Sequence, residues 1–230
     1  MIANLRRMTD PATRTDGPDV EGLDPAETEK GAAERLSFFS DAVVAIAITL
    51  LAIELEVPRG DTFAELAHGF AENWGEYLAF LISFAVIARH WISHHRLFRY
   101  VGRATMSVVW LNMLWLLMIV ITPFLTRLIS EDHVDFPRFT FYAMGQLIQV
   151  VAFAALIRQL GRTGGFLPGT PAPLVRRGWI PSLGIAVGFL ISIPLFLLVG
   201  PWAFACWAVI PWISDKLTDH FGWTRNMTDL

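Results

Sequence analysis

The sequence predicts an all-α membrane protein, a bundle of six transmembrane helices with no re-entrant filter loop, and three observations lead there. Apolar residues make up 54% of the 230 residues and charged residues only 17%, against about a quarter charged in a soluble domain. Mean hydropathy is +0.47, and the apolar residues gather into long runs instead of being spread at amphipathic spacing. A bilayer core takes about 20 apolar residues per helix, so the chain has room for roughly six spans joined by short loops. No alternating ten-residue segments suggest a barrel, and the backbone in lipid must satisfy its own hydrogen bonds, which leaves helices.

The elements follow in order. Residues 1–33 are rich in Asp, Glu, Thr, Gly and Pro, lack apolar periodicity, and read as a disordered tail with no signal-peptide core. The membrane domain then occupies 34–214, with apolar stretches at about Leu36–Val57, Trp74–Leu97, Thr105–Leu128, Phe139–Leu160, Trp179–Val199 and Trp202–Ile213. The last is short, and Gly200-Pro201 before it reads as a tight turn. Pro123 and Pro194 fall inside spans and predict kinks. Residues 215–230 form a short C-terminal tail. Nine tryptophans suit a protein with two membrane interfaces.

Positive charge sets the orientation. Arg96, Arg99 and Arg103 in one loop, and Arg158, Arg162, Arg176 and Arg177 in another, stand on the side of Lys30, Arg35 and Lys216. The intervening loops mix Arg59, Arg127 and Arg138 with many acids, so both termini are expected in the cytoplasm and the span number is even. A net charge of −3 with no basic patch interleaved with aromatics argues against a nucleic-acid partner. Cys206, the single cysteine, excludes an intramolecular disulfide. No catalytic triad, phosphate-cradling glycine loop or pair of catalytic carboxylates stands in a convincing context, so no enzyme is expected. His90 and His94 share a helix face four residues apart, but no third ligand accompanies them.

Three motifs carry the functional reading. The first span contains Arg35, then Phe39-Ser40-Asp41, then a run rich in Ala, Ile, Thr and Leu that ends at Pro58. The second span holds Trp91, His94, His95 and Phe98 as Trp-x-x-His-His-x-x-Phe, and the third holds Leu111-Asn112 and Pro123-Phe124. Across these three spans, about half the chain, the sequence resembles the prokaryotic potassium-channel family related to transmembrane protein 175. The resemblance implies a homotetrameric cation channel in a bacterial or archaeal inner membrane. Its first helix would line the pore, an apolar constriction would replace the usual filter loop, and potassium with other monovalent cations would be the permeant species. It implies no cofactor. The rivals are a secondary transporter, which would show broken helices converging on the midplane, and a non-conducting membrane protein.

Helix geometry orders the candidate residues. At about 100° per residue, Ile46, Leu50 and Ile53 lie within roughly 60° of one another, Thr49 about 60° to the side, and Leu51 about 140° from Ile46. Phe39 and Val57 extend the stripe. The span is apolar all round, so periodicity alone leaves open whether this stripe faces a lumen, the core or lipid. Asp41 falls about 140° from Ile46. A carboxylate in a membrane helix needs partners, so it reads either as a cation relay or, favoured here, as a buried acceptor clamped by donors such as Trp91, His94, His95 and Asn112. Arg35 joins it or snorkels to headgroups. Glu54 and Glu56, past the far end of the span, either concentrate cations at a mouth or solvate a helix end.

Overall fold

The hydropathy pattern folds into an all-helical bundle in the computed structural model, which describes residues 24–53, 55–130, 134–207, 209–210 and 213. Five helices among the described residues are long and apolar enough to cross a membrane. They are α1 (Pro25–Ile53), α3 (Trp74–Phe98), α4 (Met106–Ser130), α5 (Phe136–Thr163) and the helix α7 (Ile180–Val199), which is preceded by the short α6 (Ala172–Arg177). The sixth apolar stretch begins as a 3₁₀ turn, Gly200–Ala205, and runs on partly outside the described residues. Residues 1–23 and 214–230, most of the two expected tails, lie outside them too.

The boundaries at the first span depart from the sequence reading. Helix α1 starts at Pro25, so residues 25–33, assigned above to a tail, are helical. Proline suits a helix's first turn, and Ala26, Glu27, Lys30, Ala32 and Ala33 propagate it, outweighing the polar composition. A further helix, α2 (Phe63–Glu72), occupies the loop between the first two spans. Thr62 and Glu65 form a reciprocal capping box there: the Thr62 hydroxyl accepts from the Glu65 N–H, and the Glu65 carboxylate accepts from the Thr62 N–H.

Helices α4 and α5 pack on each other along their length and form the centre; α7 covers α5, while α1 packs against α3 and α4. Half of the most apolar window of α4 and 61% of that of α5 is buried, against 22% for α1 and α3, so α1 runs along the rim of the bundle. One aromatic stack sits where α3, α4 and α5 meet. The His94 ring lies between Phe98 at 4.1 Å and Trp115 at 4.5 Å, and Phe153 closes the group. A second surrounds Phe139, with Phe196 at 4.4 Å and Trp207 at 5.2 Å. Helices α4 and α7 continue through Pro123 and Pro194.

At the arginine-rich end, two loops clamp together. The N–H groups of Gly102 and Arg103 both donate to the Gly165 carbonyl, and the Leu167 N–H donates to the Tyr100 carbonyl. Gly165 has to be a glycine here, since a Cβ would stand 2.6 Å from the Arg103 carbonyl oxygen.

Candidate functional site

Helix α1 has two faces that hydropathy could not separate. Ala33, Ser40, Val44, Ala47 and Leu51 are all buried, at spacings of seven, four, three and four that hold one stripe against α3 and α4. On the other side Ile46 is 60% exposed and Ile53 74%, with Phe39, Thr49 and Leu50 also exposed, whereas Leu51 is 2% exposed. The Ile46–Leu50–Ile53 stripe therefore faces away from the other helices of the chain. Thr49 donates its hydroxyl hydrogen to the Ile46 carbonyl at 2.8 Å, which leaves its oxygen lone pairs on the same outward side. Val57 does not extend the stripe: α1 ends at Ile53, and Val57 follows in irregular backbone. Glu56 is exposed; its backbone is pinned by Glu76, which accepts from its N–H, and by Tyr77, whose hydroxyl donates to its carbonyl. Glu54 lies outside the described residues.

The signature residues split into an inner and an outer group. Inside, Ser40 donates to the Leu36 carbonyl at 2.8 Å and accepts from Asn112 Nδ2 at 2.9 Å. Asn112 Oδ1 stands 2.9 Å from His94 Nε2. An amide oxygen only accepts, so Nε2 carries the hydrogen in this arrangement. Ser40, His94 and Asn112 are fully buried, and the three tie α1, α3 and α4 together.

Outside, Asp41 accepts from Trp91 Nε1 at 2.9 Å, and the His95 ring lies 5.4 Å from that of Trp91. Asp41 is half-buried, and Trp91 and His95 are exposed. The buried acceptor expected at Asp41 is thus the Ser40–Asn112 pair one residue earlier. A step of about 100° carries Asp41 from the buried stripe to its edge. Arg35 does not join Asp41: its Nε donates to the Gly31 carbonyl on its own helix at 3.3 Å, and the side chain is exposed. Phe39, at 52% exposure, belongs with the outward stripe. His90 and His94 gain no third ligand: among the described residues no three His, Cys, Asp or Glu side chains come together that could hold a metal.

Sequence reasoning missed a third polar group. Thr126 donates to Ser83 at 2.8 Å, Ser83 shares a hydrogen bond of 3.0 Å with Tyr142, and Gln146 Nε2 reaches Thr122 at 3.5 Å, every one of them buried. Polar residues at three- and four-residue spacing inside apolar spans, Thr122 with Thr126 and Gln146 with Gln149, were the available signal. Thr126 also lines an open cleft of about 1240 Å³ at the end of the bundle where α1 finishes, beside Glu56, Glu72 and Glu76.

Residues 35–123, which hold both signature groups and the whole outward stripe, match the family described as the endosomal/lysosomal potassium channel TMEM175. A potassium channel of Streptomyces collinus is 33% identical over 172 residues, 73% of this chain and 84% of that one. The chain belongs to the TMEM175 family. A potassium channel of Chamaesiphon minutus is 40% identical over 109 residues, 46% of this chain and 52% of its own length. The crystal structure of a lysosomal potassium-selective TMEM175 homolog from the same organism superposes with a TM-score of 0.67 at 26% identity, covering 82% of this chain and 98% of that one. TMEM175 proteins are ion channels of the membrane and not enzymes, in line with the five apolar helices.

Proposed function

We propose that this TMEM175 protein is a potassium-permeable channel in a prokaryotic inner membrane, built as a homotetramer with six spans per subunit and both termini in the cytoplasm. The stretch Trp202–Ile213 supplies the sixth, short span. One observation carries the pore assignment. Helix α1 is sorted into a buried stripe and an outward stripe, and the outward one holds Ile46, Leu50 and Ile53 at a continuous helical spacing. A single rim helix cannot enclose a lumen, so copies related by a closed rotation axis supply the rest of the wall.

The chemistry of that wall constrains the mechanism. Isoleucine and leucine side chains cannot replace an ion's hydration shell. A ring of them excludes water when narrow and passes hydrated cations when widened and wetted. The Thr49 oxygens, with their hydrogens committed to Ile46 carbonyls, offer lone pairs beside the ring to an ion that has shed part of its water. Glu56 and the glutamates of the neighbouring cleft give the adjacent end a negative field that concentrates cations.

Potassium flux into liposomes containing only the purified protein tests the function, with a mass measurement of the conducting species in detergent beside it. Flux well above that of protein-free vesicles from a four-chain particle is the expected result. A stable monomer that conducts, or a tetramer that passes no cation, would sink the proposal.

A further inference from the structure

Beyond the α1 face, the interior of the subunit carries a line of buried polar atoms that the pore does not use. On α5, Tyr142, Gln146, Gln149 and Phe153 follow at spacings of four, three and four, one stripe of the helix. Its neighbours on α4 are fixed at both ends, since Gln146 reaches Thr122 and Phe153 packs on Trp115. Gln149 therefore faces α4 between these two contacts, near Met118 and Ile119. Both glutamines and Trp115 are fully buried. Neither amide atom of Gln149, nor Gln146 Oε1, nor Trp115 Nε1, nor His94 Nδ1 beside it has a hydrogen-bond partner among the described residues.

Buried polar groups in proteins are almost always paired, and in a membrane span there is no bulk water to compensate. The atoms on this seam are mixed: Gln149 Nε2 and Trp115 Nε1 donate, while the two Oε1 atoms accept. A cation would be repelled by the donors and an anion by the acceptors; a water molecule satisfies both kinds. Successive partners lie about one helical turn apart, roughly 5 Å, which one bridging water spans with two ordinary hydrogen bonds. The seam's Thr122 end lies one helical turn from the cleft. Thr126, which bonds Ser83 and through it meets Tyr142, lines the cleft at the end of the bundle.

We propose that the α4–α5 seam from Thr122 to Trp115 is a binding site for a short file of ordered water molecules, with Gln149 as its central ligand. The file completes the hydrogen bonding of the subunit core and exchanges with solvent through the Thr126 cleft. It is separate from the α1 face, so its failure leaves the pore assignment standing.

Radiolytic hydroxyl-radical labelling of the intact channel tests this, because bound water converts to radicals in place and marks the side chains it touches. Met118, 8% exposed, and Trp115, not exposed at all, line the seam and report on it. Labelling of both is expected at least severalfold above that of Phe139, which like Trp115 is fully buried, and Gln149→Leu should cut the Met118 signal severalfold while leaving Met144, 39% exposed, unchanged. The same substitution should not raise the melting temperature. Met118 and Trp115 silent in the parent protein, labelling that Gln149→Leu leaves untouched, or a variant that melts higher would each overturn the proposal. Should the variant not assemble, the parent footprint alone decides.

Discussion

Asn112 on α4 donates to the Ser40 hydroxyl on α1 across 2.9 Å, and neither side chain is exposed. Seventy-two positions of sequence separate the two, and with the Trp91–Asp41 bond to α3 this bond ties the helix that carries the outward stripe to the rest of the chain. Ser40 passes its own hydrogen to Leu36, and Asn112 takes its other bond from His94, so Asn112 is the link between the other two.

Removing the centre of that set should be felt at once. Asn112→Ala strands the His94 Nε2–H and a Ser40 lone pair in a dry site, at a cost of roughly 1–3 kcal/mol per lost partner. Thermal unfolding in detergent should show a clear drop for Asn112→Ala, and Ser40→Ala, which removes one end only, should fall between it and the parent.

Asp41 should behave differently from its buried neighbour. Among the described residues its side chain takes a single bond, from Trp91 Nε1, at a half-exposed edge. Asp41→Asn keeps an acceptor oxygen there and should melt close to the parent, while Asp41→Ala should lose about 1 kcal/mol. Intrinsic Trp91 fluorescence should shift in the alanine variant alone. An asparagine variant as damaged as Asn112→Ala would place Asp41 in the core after all.

The two faces of α1 make a paired prediction about permeation. Ile46→Asn puts a group that holds water on the outward stripe and should raise cation flux about tenfold, as lowering the barrier by about 1.4 kcal/mol does, with weaker discrimination between potassium and sodium. Leu51→Asn buries the same amide in the core; it should lower stability by roughly 2–4 kcal/mol and leave the ion preference of surviving channels unchanged. Side-by-side liposome flux and melting curves check both. Altered selectivity in Leu51→Asn with none in Ile46→Asn means the helix has been turned the wrong way.

Helix α2 should be separable from conduction. Thr62→Ala deletes the side-chain half of the capping box, worth about 1 kcal/mol, and hydrogen exchange should quicken over residues 63–72. Flux should not change.

The loop clamp should tolerate no side chain at Gly165. A Cβ there meets the Arg103 carbonyl oxygen, a backbone atom that cannot swing aside, and Gly165→Ala should cost about 1–3 kcal/mol, read as a lower melting temperature.

Much of this is legible in the sequence. Apolar runs of about 20 residues can only be membrane helices, because lipid offers the backbone no other way to satisfy itself. The Arg35, Phe39-Ser40-Asp41, Trp91, His94-His95 and Asn112 signature marked the family, and the period of 3.6 already set Ile46 and Leu51 on opposite sides of α1. Which side is which lay beyond the sequence, since a helix apolar all round carries no gradient to orient it. Packing against α3 and α4 buries Leu51 and turns Ile46 outward. The same packing chose Ser40 over Asp41 as the deep partner of Asn112. One residue is a rotation of about 100°, and only the helix that supplies the donor says which of two adjacent polar side chains meets it.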